Sequence, residues 1–354
     1  MGYYTGKKVL VTGHTGFKGA WLCKILQLLD AEVIGYSLKE EVGSLYSILN
    51  LDQEIKSFIG DIRDYEYLYQ IFKQEKPEIV FHLAAQPLVL KSYEEPRYTY
   101  DVNVMGTVNI CECIRNTKSV KSFLNITTDK VYLNKEWDWG YRENDELNGY
   151  DPYSNSKSCS ELVTDTYQNC FYKEKKIAVS TVRAGNVIGG GDFAENRIIP
   201  DCFRALEKRQ DIMIRNPYSI RPYQHVLEPL IAYLIIAKEQ SENIELSGNY
   251  NIGPSEENSI YTKELVEKFV KIWGGDINIK FEQKKYSHEA NLLKLDCSKV
   301  GHKFNWKPQW DMDETVKYVV EWYKEYMNGG DMSSVTEKQV KRYLKTIEYQ
   351  ALNL

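Results

Sequence analysis

Short apolar runs alternate with longer amphipathic stretches along the first half of the chain. The runs lie at residues 8–12, 32–36, 55–59, 78–83, 123–127 and 177–182. Consecutive apolar positions over such short lengths are typical of strands buried on both faces of a parallel sheet. The stretches between them, among them residues 17–29, 98–117 and a segment starting at Pro152, have the pattern of helices. This alternation predicts a doubly wound, mostly parallel α/β sheet.

The alternation stops after residue 186. Short strands are predicted at 211–214 and 277–281, and helices at 198–208, 261–273 and 313–327. The apolar pattern of residues 226–237 predicts a helix that packs on the first domain, and that of residues 250–253 predicts a further buried strand. We therefore predict one domain from residues 1–185 plus about 225–252, and a smaller interleaved α+β domain from about 186–224 plus 253–330. The second domain is expected to bind the substrate, and residues 331–354 are predicted to form a helical tail.

A glycine-rich turn joins the first predicted strand to the first helix. Glycines at such a turn let the backbone approach a pyrophosphate, which binds at the N-terminus of the following helix. In this strand–turn–helix context, glycines spaced by three residues predict a Rossmann-type dinucleotide site. The candidate cofactor ligands in the turn are Gly13, Thr15, Gly16, Phe17, Lys18 and Gly19.

The end of the second predicted strand bears on which dinucleotide binds. It reads Tyr36-Ser37-Leu38-Lys39, without the acidic residue that usually accepts the ribose 2′-hydroxyl. No arginine follows that would bind a 2′-phosphate. We therefore predict NAD as the cofactor, in preference to NADP.

Two further strand ends predict cofactor contacts, because the carboxyl ends of parallel strands face the ligand crevice. Asp61 and Ile62 follow the third strand, where Asp61 either reaches the adenine or caps the next helix. Leu83, Ala84 and Ala85 follow the fourth strand. Small residues at that point let a cofactor pass close to the backbone.

Composition argues against several classes of function. The net charge of −5 over 354 residues gives no basic surface for nucleic acid. The five histidines and seven cysteines are dispersed without metal-binding spacing, so we predict no metal site. The longest apolar run, residues 226–237, is too short to cross a bilayer, and no signal sequence is visible. We predict a cytoplasmic protein that binds neither nucleic acid nor membrane.

Tyr153 and Lys157 are candidate catalytic residues. Asp151 and Pro152 are favourable helix-start residues, and positions four apart in that helix lie on one face. A tyrosine with its ordinary pKa of about 10 becomes a base near neutral pH if roughly 4 kcal/mol favours the phenolate. A positive charge about 4 Å away supplies this in a cleft of effective dielectric about 20. The spacing predicts that Lys157 lowers the pKa of Tyr153.

Taken together, these motifs resemble the extended short-chain dehydrogenase/reductase family of NAD-dependent epimerases and dehydratases. The glycine turn, the strand end His82-Leu83-Ala84-Ala85 and the Tyr153/Lys157 spacing carry the resemblance. Longer blocks at 128–130, 134–137, 140–145, 149–157, 183–192 and 214–229 resemble the branch that dehydrates CDP-glucose. The likeness spans about residues 6–325.

The resemblance implies conversion of CDP-D-glucose to CDP-4-keto-6-deoxy-D-glucose, a step of deoxysugar biosynthesis such as that of lipopolysaccharide O-antigen. Tyr153, Lys157 and Thr128 would oxidise the sugar at C-4 with NAD⁺, water would leave across C-5 and C-6, and the hydride would return to C-6. Asp129 would protonate the leaving hydroxyl group. Lys130, which replaces a glutamate of related dTDP-glucose dehydratases, is either the C-5 base or a group that stabilises the enolate. Alternatively, Asp129 and Lys130 form only an ion pair in a loop.

The resemblance also implies substrate ligands and an oligomer. A diphosphate needs cations and fixed hydrogen-bond donors, and Arg221 stands where the family has a phosphate-binding arginine. Asn103 matches a family asparagine that supports the active-site backbone. The helices at 98–117 and after Pro152 form a four-helix interface in relatives, so we expect a homodimer or a higher homo-oligomer. The candidate substrate ligands are Gln86, Asn186, Arg197, Arg215, Arg221 and His225.

Other functions stay open. A dehydratase of a different nucleotide hexose would need the same residues, since base recognition depends on loops that the sequence does not position. A UDP-hexose 4-epimerase uses the same Tyr/Lys oxidation without an acid–base pair beside it, and the pair at 129–130 argues against it. A non-catalytic NAD-sensing regulator would keep the glycine turn, but would have no reason to retain Thr128, Tyr153 and Lys157 together.

Overall fold

A computed structural model describes residues 2–255, 258–275, 277–281, 292–347 and 354. Seven strands of this part of the chain form a central sheet, and six shorter ones form pairs outside it. In chain order the strands are β1 (Lys8–Thr12), β2 (Glu32–Ser37), β3 (Lys56–Ile59), β4 (Ile79–His82), β5 (Ser122–Ile126), β6 (Ala178–Ala184), β7 (Val187–Ile188), β8 (Ile212–Ile214), β9 (Ile220–Arg221), β10 (Gln224–His225), β11 (Gly248–Ile252), β12 (Ile260–Tyr261) and β13 (Ile279–Phe281).

The central sheet has the order β11-β6-β5-β4-β1-β2-β3, and all its neighbouring strands pair in parallel. The chain moves outward from β1 through β2 to β3 and then crosses to β4 on the other side of β1. Ligands of open α/β sheets bind at the carboxyl ends of the strands where such a reversal occurs. The predicted doubly wound α/β fold is confirmed.

The helices account for most of the amphipathic stretches. They are α1 (Phe17–Leu28), α2 (Leu45–Ile48), α3 (Tyr65–Glu75), α4 (Val89–Glu94), α5 (Pro96–Tyr100), α6 (Gly106–Arg115), α7 (Pro152–Tyr167), α8 (Lys173–Lys175), α9 (Ile198–Glu207), α10 (Leu227–Glu242), α11 (Thr262–Trp273), α12 (Ser298–Phe304), α13 (Met312–Met327) and α14 (Met332–Thr346). The helix predicted at 98–117 is α5 and α6 joined by a π-helical segment, Asp101–Met105.

Alternate residues of the central strands face two separate cores, one on each side of the sheet. Val9 and Val11 of β1 belong to the larger core, whereas Leu10 between them belongs to the smaller. Likewise, Phe123 of β5 faces the smaller core and Leu124 the larger. Because both faces are covered, every position of such a strand is apolar, which explains the continuous runs in the sequence.

Helix α10 is buried along nearly its whole length. It packs against β5, β6 and the first helix, α1. Thirteen of its sixteen residues are buried, so no polar face distinguishes one side from another. A helix that is apolar all round belongs in the interior of a protein. The Lys18 ammonium of α1 lies 5.9 Å from the centroid of the Tyr233 ring on this helix.

Outside the sheet, three small two-stranded sheets organise the chain: β7 with β10, β9 with β12, and β8 with β13. The stretch 215–224, for which the sequence predicts no element, contains β9 and the start of β10. Strands of two residues are too short for an alternating pattern to reveal them. The pairing of β10 with β7 connects the end of β6 to the start of α10.

Residues Met332–Thr346 of the C-terminal tail form helix α14, which packs against α13 and α1. The Tyr343 hydroxyl donates to the buried carboxylate of Glu228 on α10, which also accepts the backbone N–H groups of Gln309 and Trp310. The predicted tail extends over residues 348–353, which lie outside the described residues. Among the described helices, none is long and apolar enough to cross a membrane.

Candidate active site

Two glycines of the turn after β1 are required by close packing. Gly13 has a φ of +73°, and a Cβ there would lie 2.8 Å from the backbone nitrogen of Ala84. A Cβ on Gly19 would lie 2.1 Å from the carbonyl oxygen of Gly13. Any side chain at either position would push the turn away from the end of β4 or from α1. These glycines therefore fix the turn against the carboxyl edge of the sheet.

Gly16 is different, because the protein itself leaves space beside it. It is the N-cap of α1, and a Cβ there would meet only the Gly13 carbonyl oxygen, at 3.4 Å. The first N–H groups of α1 have no side-chain cap. Open space at an uncapped helix N-terminus fits a phosphate group, which needs both N–H donors and close backbone approach. The residues of the turn thus fit a dinucleotide.

The candidate adenosine contacts occupy the ends of β2 and β3. The Thr15 hydroxyl lies 2.9 Å from that of Ser37 and donates to the Leu38 carbonyl at 3.1 Å. Asp61 forms a two-pronged ion pair with Arg63, at 2.7 Å between Nη2 and Oδ2, and the Arg63 hydrogen bond lowers the pKa of Asp61. The N-cap of α3 is Asp64, so the capping alternative for Asp61 is wrong.

The neighbouring candidates are apolar or small. Ile62 is buried, and a Cβ on Gly106 of α6 would meet its side chain at 2.7 Å. Leu83 and Ala85 are partly exposed. The Ala84 N–H donates to the Thr12 hydroxyl at 3.2 Å, which ties the end of β4 to β1. These residues form a smooth surface between β1 and β4.

Tyr153 and Lys157 begin helix α7 at the end of β5. The Asp151 carboxylate accepts a hydrogen bond from the Ser154 N–H at 2.9 Å, so the helix starts where its sequence predicts. The Lys157 ammonium donates to the Ile126 carbonyl at 3.1 Å, and its side chain is buried. This bond anchors the helix to the last residue of β5. Tyr153 is 9% exposed and so just reaches the surface of the site.

The pKa values of this pair shift in the direction that burial dictates. Burial raises the pKa of Tyr153 to about 12, while a hydrogen bond to Thr128 works in the opposite direction. Burial also lowers the pKa of Lys157 to about 8. The predicted lowering of the Tyr153 pKa is therefore wrong for the protein alone, because desolvation of the phenolate outweighs the nearby favourable groups. A further positive charge is needed to make this tyrosine a base.

Thr128, Asp129 and Lys130 lie just beyond β5, after Thr127. The Thr128 hydroxyl donates to Asp129 Oδ1 at 3.0 Å, and the Lys130 ammonium lies 3.3 Å from the same oxygen. The ion pair named as the alternative to a catalytic role is present, but it uses only one carboxylate oxygen of Asp129. Asp129 is fully buried and its Oδ2 has no hydrogen-bond partner among the described residues. A buried acceptor without a donor is unfavourable, so this oxygen is free to bind a substrate hydroxyl group.

Asn103 lies in the π-helical segment and holds the loop after β4. Its side-chain oxygen accepts the Gln86 N–H at 2.8 Å, and its amide nitrogen donates to the Gln86 carbonyl and to Ser156. The Gln86 side chain bonds to Leu88 and Thr99. Gln86 therefore shapes the loop through both ends of its amide. π-helical segments often occur at functional sites, and this one ties the loop after β4 to α7.

Four further candidates lie in the stretch 186–221, after β6. Arg197 pairs with Asp192 at 2.9 Å, and Arg215 donates to the Asn196 side chain at 3.1 Å. Arg221 is partly exposed on β9, where its side chain has no ion-pair partner in the described part of the chain. The Asn186 side-chain oxygen is buried without a partner among these residues.

His225 sits deeper than its expected role implies. It is fully buried, and its ring packs against Trp21 and Trp310 at centroid distances of 6.0 and 4.8 Å. Burial lowers its pKa to about 3, so the ring is neutral. His225 therefore lies in the core, at the end of β10.

Sequence reasoning missed two residues of this region. Tyr233 is buried, and its hydroxyl has no hydrogen-bond partner among the residues that the structure describes. The phenol of Tyr153 raises the pKa of Tyr233 beyond the effect of burial. Glu161, one turn after Lys157, accepts hydrogen bonds from Thr127 and Arg183. The sequence could have indicated Glu161, because it lies four residues after Lys157 and therefore on the same face of α7. Nothing in the sequence pointed to Tyr233.

The fold and the residues after β5 define a member of the extended short-chain dehydrogenase/reductase class. Residues 10–319 match the family model described as GDP-mannose 4,6 dehydratase, and the chain belongs to that family. The resemblance predicted from the sequence motifs is confirmed.

Particular relatives narrow the comparison. The chain is 47% identical over 349 residues to CDP-glucose 4,6-dehydratase of Salmonella typhimurium, covering 97% of each chain. It is 28% identical over 342 residues to human dTDP-D-glucose 4,6-dehydratase, covering 90% of each. The crystal structure of dTDP-glucose 4,6-dehydratase from Bacillus anthracis in complex with NAD superposes with a TM-score of 0.77 at 21% identity, covering 92% of this chain and 99% of that one.

Proposed function

We propose that this protein is an NAD-dependent nucleotide-sugar 4,6-dehydratase with CDP-D-glucose as its substrate and CDP-4-keto-6-deoxy-D-glucose as its product. The observation that carries the proposal is the arrangement after β5. A buried tyrosine–lysine pair for oxidation lies beside a buried carboxylate, Asp129, one oxygen of which has no partner within the described part of the chain. The 47% identity to a CDP-glucose 4,6-dehydratase supports the choice of nucleotide. The product would serve deoxysugar biosynthesis.

NAD is assigned to the carboxyl edge of β1, β2 and β4. Gly16 and the first N–H groups of α1 would hold its pyrophosphate, between Gly13 and Gly19. Thr15 and Asp61 lie where the adenosine would bind, and the surface formed by residues 83–85 would line its path. When bound, NAD supplies a ring that accepts a hydride and carries a positive charge while oxidised.

The oxidation at C-4 is assigned to Tyr153, Lys157 and Thr128. Tyr153 removes the proton from the C-4 hydroxyl group as the hydride leaves the same carbon. Its pKa of about 12 in the protein alone means that a nearby positive charge must assist it. Lys157 supplies one such charge, and Thr128 holds the substrate hydroxyl by a hydrogen bond.

The elimination is assigned to Asp129 and Lys130. The ketone at C-4 acidifies the C-5 proton, and Asp129 donates a proton to the C-6 hydroxyl group as it leaves. Lys130 lies 3.3 Å from Asp129, with its side chain 33% exposed, so it can face both the carboxylate and the cleft. It acts there as the C-5 base or as a cation that stabilises the enolate. Return of the hydride to C-6 completes the reaction.

The substrate is assigned to the part of the chain outside the central sheet, residues 186–224 and 253–330. Arg221 and Asn186 have side-chain groups without protein partners among the described residues and are the primary candidates for the diphosphate. The side chains of Arg197 and Arg215 already bind Asp192 and Asn196, so a phosphate would have to compete with these residues for the two guanidinium groups. We assign Gln86 to shaping the sugar pocket and His225 to supporting it from the core.

We also propose that the protein is cytoplasmic and acts as a homodimer through α6 and α7. Exposed apolar side chains at Met105, just before α6, and at Leu162 on α7 support such an interface. Sedimentation at several protein concentrations tests this. A monomer at micromolar concentration would contradict it.

Incubation of the purified protein with NAD⁺ and a panel of nucleotide hexoses tests the function. We expect CDP-glucose to lose one molecule of water, and mass spectrometry detects this loss. An unchanged mass with inverted C-4 would identify an epimerase, and turnover of another nucleotide hexose would correct the substrate. Binding of NAD⁺ without turnover of any sugar would favour the alternative of a non-catalytic NAD-sensing regulator. The Asp129→Asn variant is the matched control, and it should retain NAD⁺ binding while losing dehydration.

A further inference from the structure

A cleft lies apart from the groups assigned to NAD and to catalysis. Its volume is about 810 Å³, and its walls come mainly from the stretches 137–145, 253–255, 294–298 and 306–308. This volume falls within the range of clefts that hold small molecules. None of the side chains named above for the cofactor, for catalysis or for the substrate lines it. The cleft is therefore a separate candidate binding site.

A series of four aromatic rings ends in this cleft. Tyr132 and Tyr141 stack at 5.1 Å between ring centroids. Trp137 lies 5.1 Å from Tyr141, and Trp139 lies 5.3 Å from Trp137. Tyr132 is 1% exposed, whereas Trp139 is 64% exposed. The series therefore runs from the core to the surface, and its last ring is open to a further planar ring.

The inner end of this series is fixed by hydrogen bonds. The Tyr132 hydroxyl accepts from the Arg183 guanidinium at 2.8 Å and donates to the Asn251 side-chain oxygen at 2.6 Å. Each ring then supports the next one outward. The exposed indole of Trp139 is thus held in place before any ligand arrives, which reduces the ordering that binding would require.

Two indole N–H groups of the cleft lining lack acceptors. Nε1 of Trp137 and Nε1 of Trp306 are both buried, and neither has a hydrogen-bond partner in the ranges that the structure describes. Trp306 as a whole is only 5% exposed. A buried donor without an acceptor is unfavourable, and a bound molecule with oxygen acceptors would satisfy it.

The charged side chains of the lining favour an anion. The described ones are Arg142, Lys294 and Lys307 against Asp145 and Asp296, which leaves one net positive charge. The Asp296 carboxylate accepts from Arg142 Nε at 3.0 Å, and the Asp145 carboxylate accepts the Arg142 backbone N–H at 2.8 Å. Lys307 is exposed and has no ion-pair partner within the described stretches. The carboxylates are thus engaged, while a cation and two N–H donors are available.

We propose that this cleft binds a nucleotide, with the base stacked on Trp139 and the phosphate group paired with Lys307. Every nucleobase has a flat face that stacks on an aromatic side chain. A phosphate group offers acceptors to an ammonium and to N–H donors. A free sugar fits less well, because its hydroxyl groups also need acceptors, and both carboxylates are bonded within the protein. The inference goes beyond the proposed function and does not depend on it, since no catalytic residue lines the cleft.

The test measures dissociation constants of CMP, UMP, AMP and GMP for the full-length protein by calorimetry. Trp139→Ala removes the stacking surface, and Trp139→Phe keeps an aromatic ring. For a nucleotide that binds, we expect the dissociation constant to rise at least about fivefold in Trp139→Ala and to stay within about threefold of wild type in Trp139→Phe. The matched control is Phe171→Ala, which removes an exposed aromatic ring outside the cleft and should leave binding unchanged.

The phosphate contact has its own test. Lys307→Met removes the charge and nearly keeps the length of the side chain. We expect it to weaken binding of the nucleotide but not of the corresponding nucleoside, which lacks the phosphate group. Ribose 5-phosphate, which lacks the base, should bind more weakly than the nucleotide and should not respond to Trp139→Ala. Arg221→Ala weakens binding in the catalytic cleft, so binding that persists in that variant and depends on Trp139 belongs to the separate site.

Several results would overturn the inference. Equal affinity in wild type and Trp139→Ala would do so, as would failure of all the nucleotides to bind at millimolar concentration. Equal weakening of nucleotide and nucleoside in Lys307→Met would exclude the phosphate contact and with it a nucleotide ligand. Turnover of CDP-glucose without Trp139-dependent binding would refute this inference alone. Trp139-dependent binding without turnover of any sugar would support it and contradict the proposed function.

Discussion

Replacement of Glu161 by glutamine should destabilise the protein strongly, because it breaks a buried ion pair beneath the active site. Glu161 accepts hydrogen bonds from Arg183 at 2.9 and 3.0 Å, and from the hydroxyls of Thr127 and Thr181. Both partners of the ion pair are essentially inaccessible to solvent. The neutral amide would leave the Arg183 guanidinium buried without an anion.

Loss of one partner of a buried pair costs about 3–5 kcal/mol, far more than loss of an exposed pair. We therefore expect the free energy of unfolding to fall by about that amount in urea titrations of Glu161→Gln. The matched control is Glu337→Gln, which breaks an exposed pair with Lys341 on α14 and should change stability by less than about 1 kcal/mol.

A double-mutant cycle with Arg183→Met separates pairing from general disruption. Each single variant leaves one buried charge unpaired, whereas the double variant leaves none. We expect the double variant to be more stable than the sum of the single effects predicts, by about 3 kcal/mol. Additive effects, or a loss below about 1 kcal/mol in Glu161→Gln, would refute the argument.

Three further changes have expected outcomes. Tyr153→Phe should reduce kcat by roughly 10³-fold or more while NAD⁺ binding persists, because the general base is lost; unchanged turnover would contradict its role. Gly13→Ala should lower the free energy of unfolding by at least about 1–3 kcal/mol, since its φ is positive and its Cβ would strike Ala84; equal stability to wild type would contradict it. Burial raises the pKa of Glu228 from its ordinary value to about 7, so the stability it gives is present in acid and lost as pH rises to about 7. Glu228→Gln should therefore gain about 3–4 kcal/mol in free energy of unfolding relative to wild type between pH 4 and pH 8, and parallel pH profiles of the two proteins would count against this.

The sequence predicted what depends on local pattern. Strands buried on both faces produce continuous apolar runs, so β1, β4 and β5 could be placed within one or two residues. The turn at Gly13 was predictable because only glycine tolerates both its φ and its contact with Ala84. The start of α7 was predictable from Asp151 and Pro152, whose capping roles are local.

What depended on distant packing could not be predicted. The sign of the Tyr153 pKa shift follows from its depth of burial, which the spacing to Lys157 does not report. The approach of Lys18 to Tyr233 joins α1 to α10, two helices far apart in the chain. His225 was grouped with substrate ligands by its motif, whereas packing against Trp310 places it in the core.

The central claim is that one site oxidises C-4, eliminates water and returns the same hydride to C-6. The most direct test is turnover of CDP-glucose carrying deuterium at C-4, with the product analysed by NMR. The account predicts that the deuterium appears at C-6 of the 4-keto-6-deoxy product. Deuterium that is lost to solvent, or retained at C-4 of an unchanged or epimerised sugar, would contradict it.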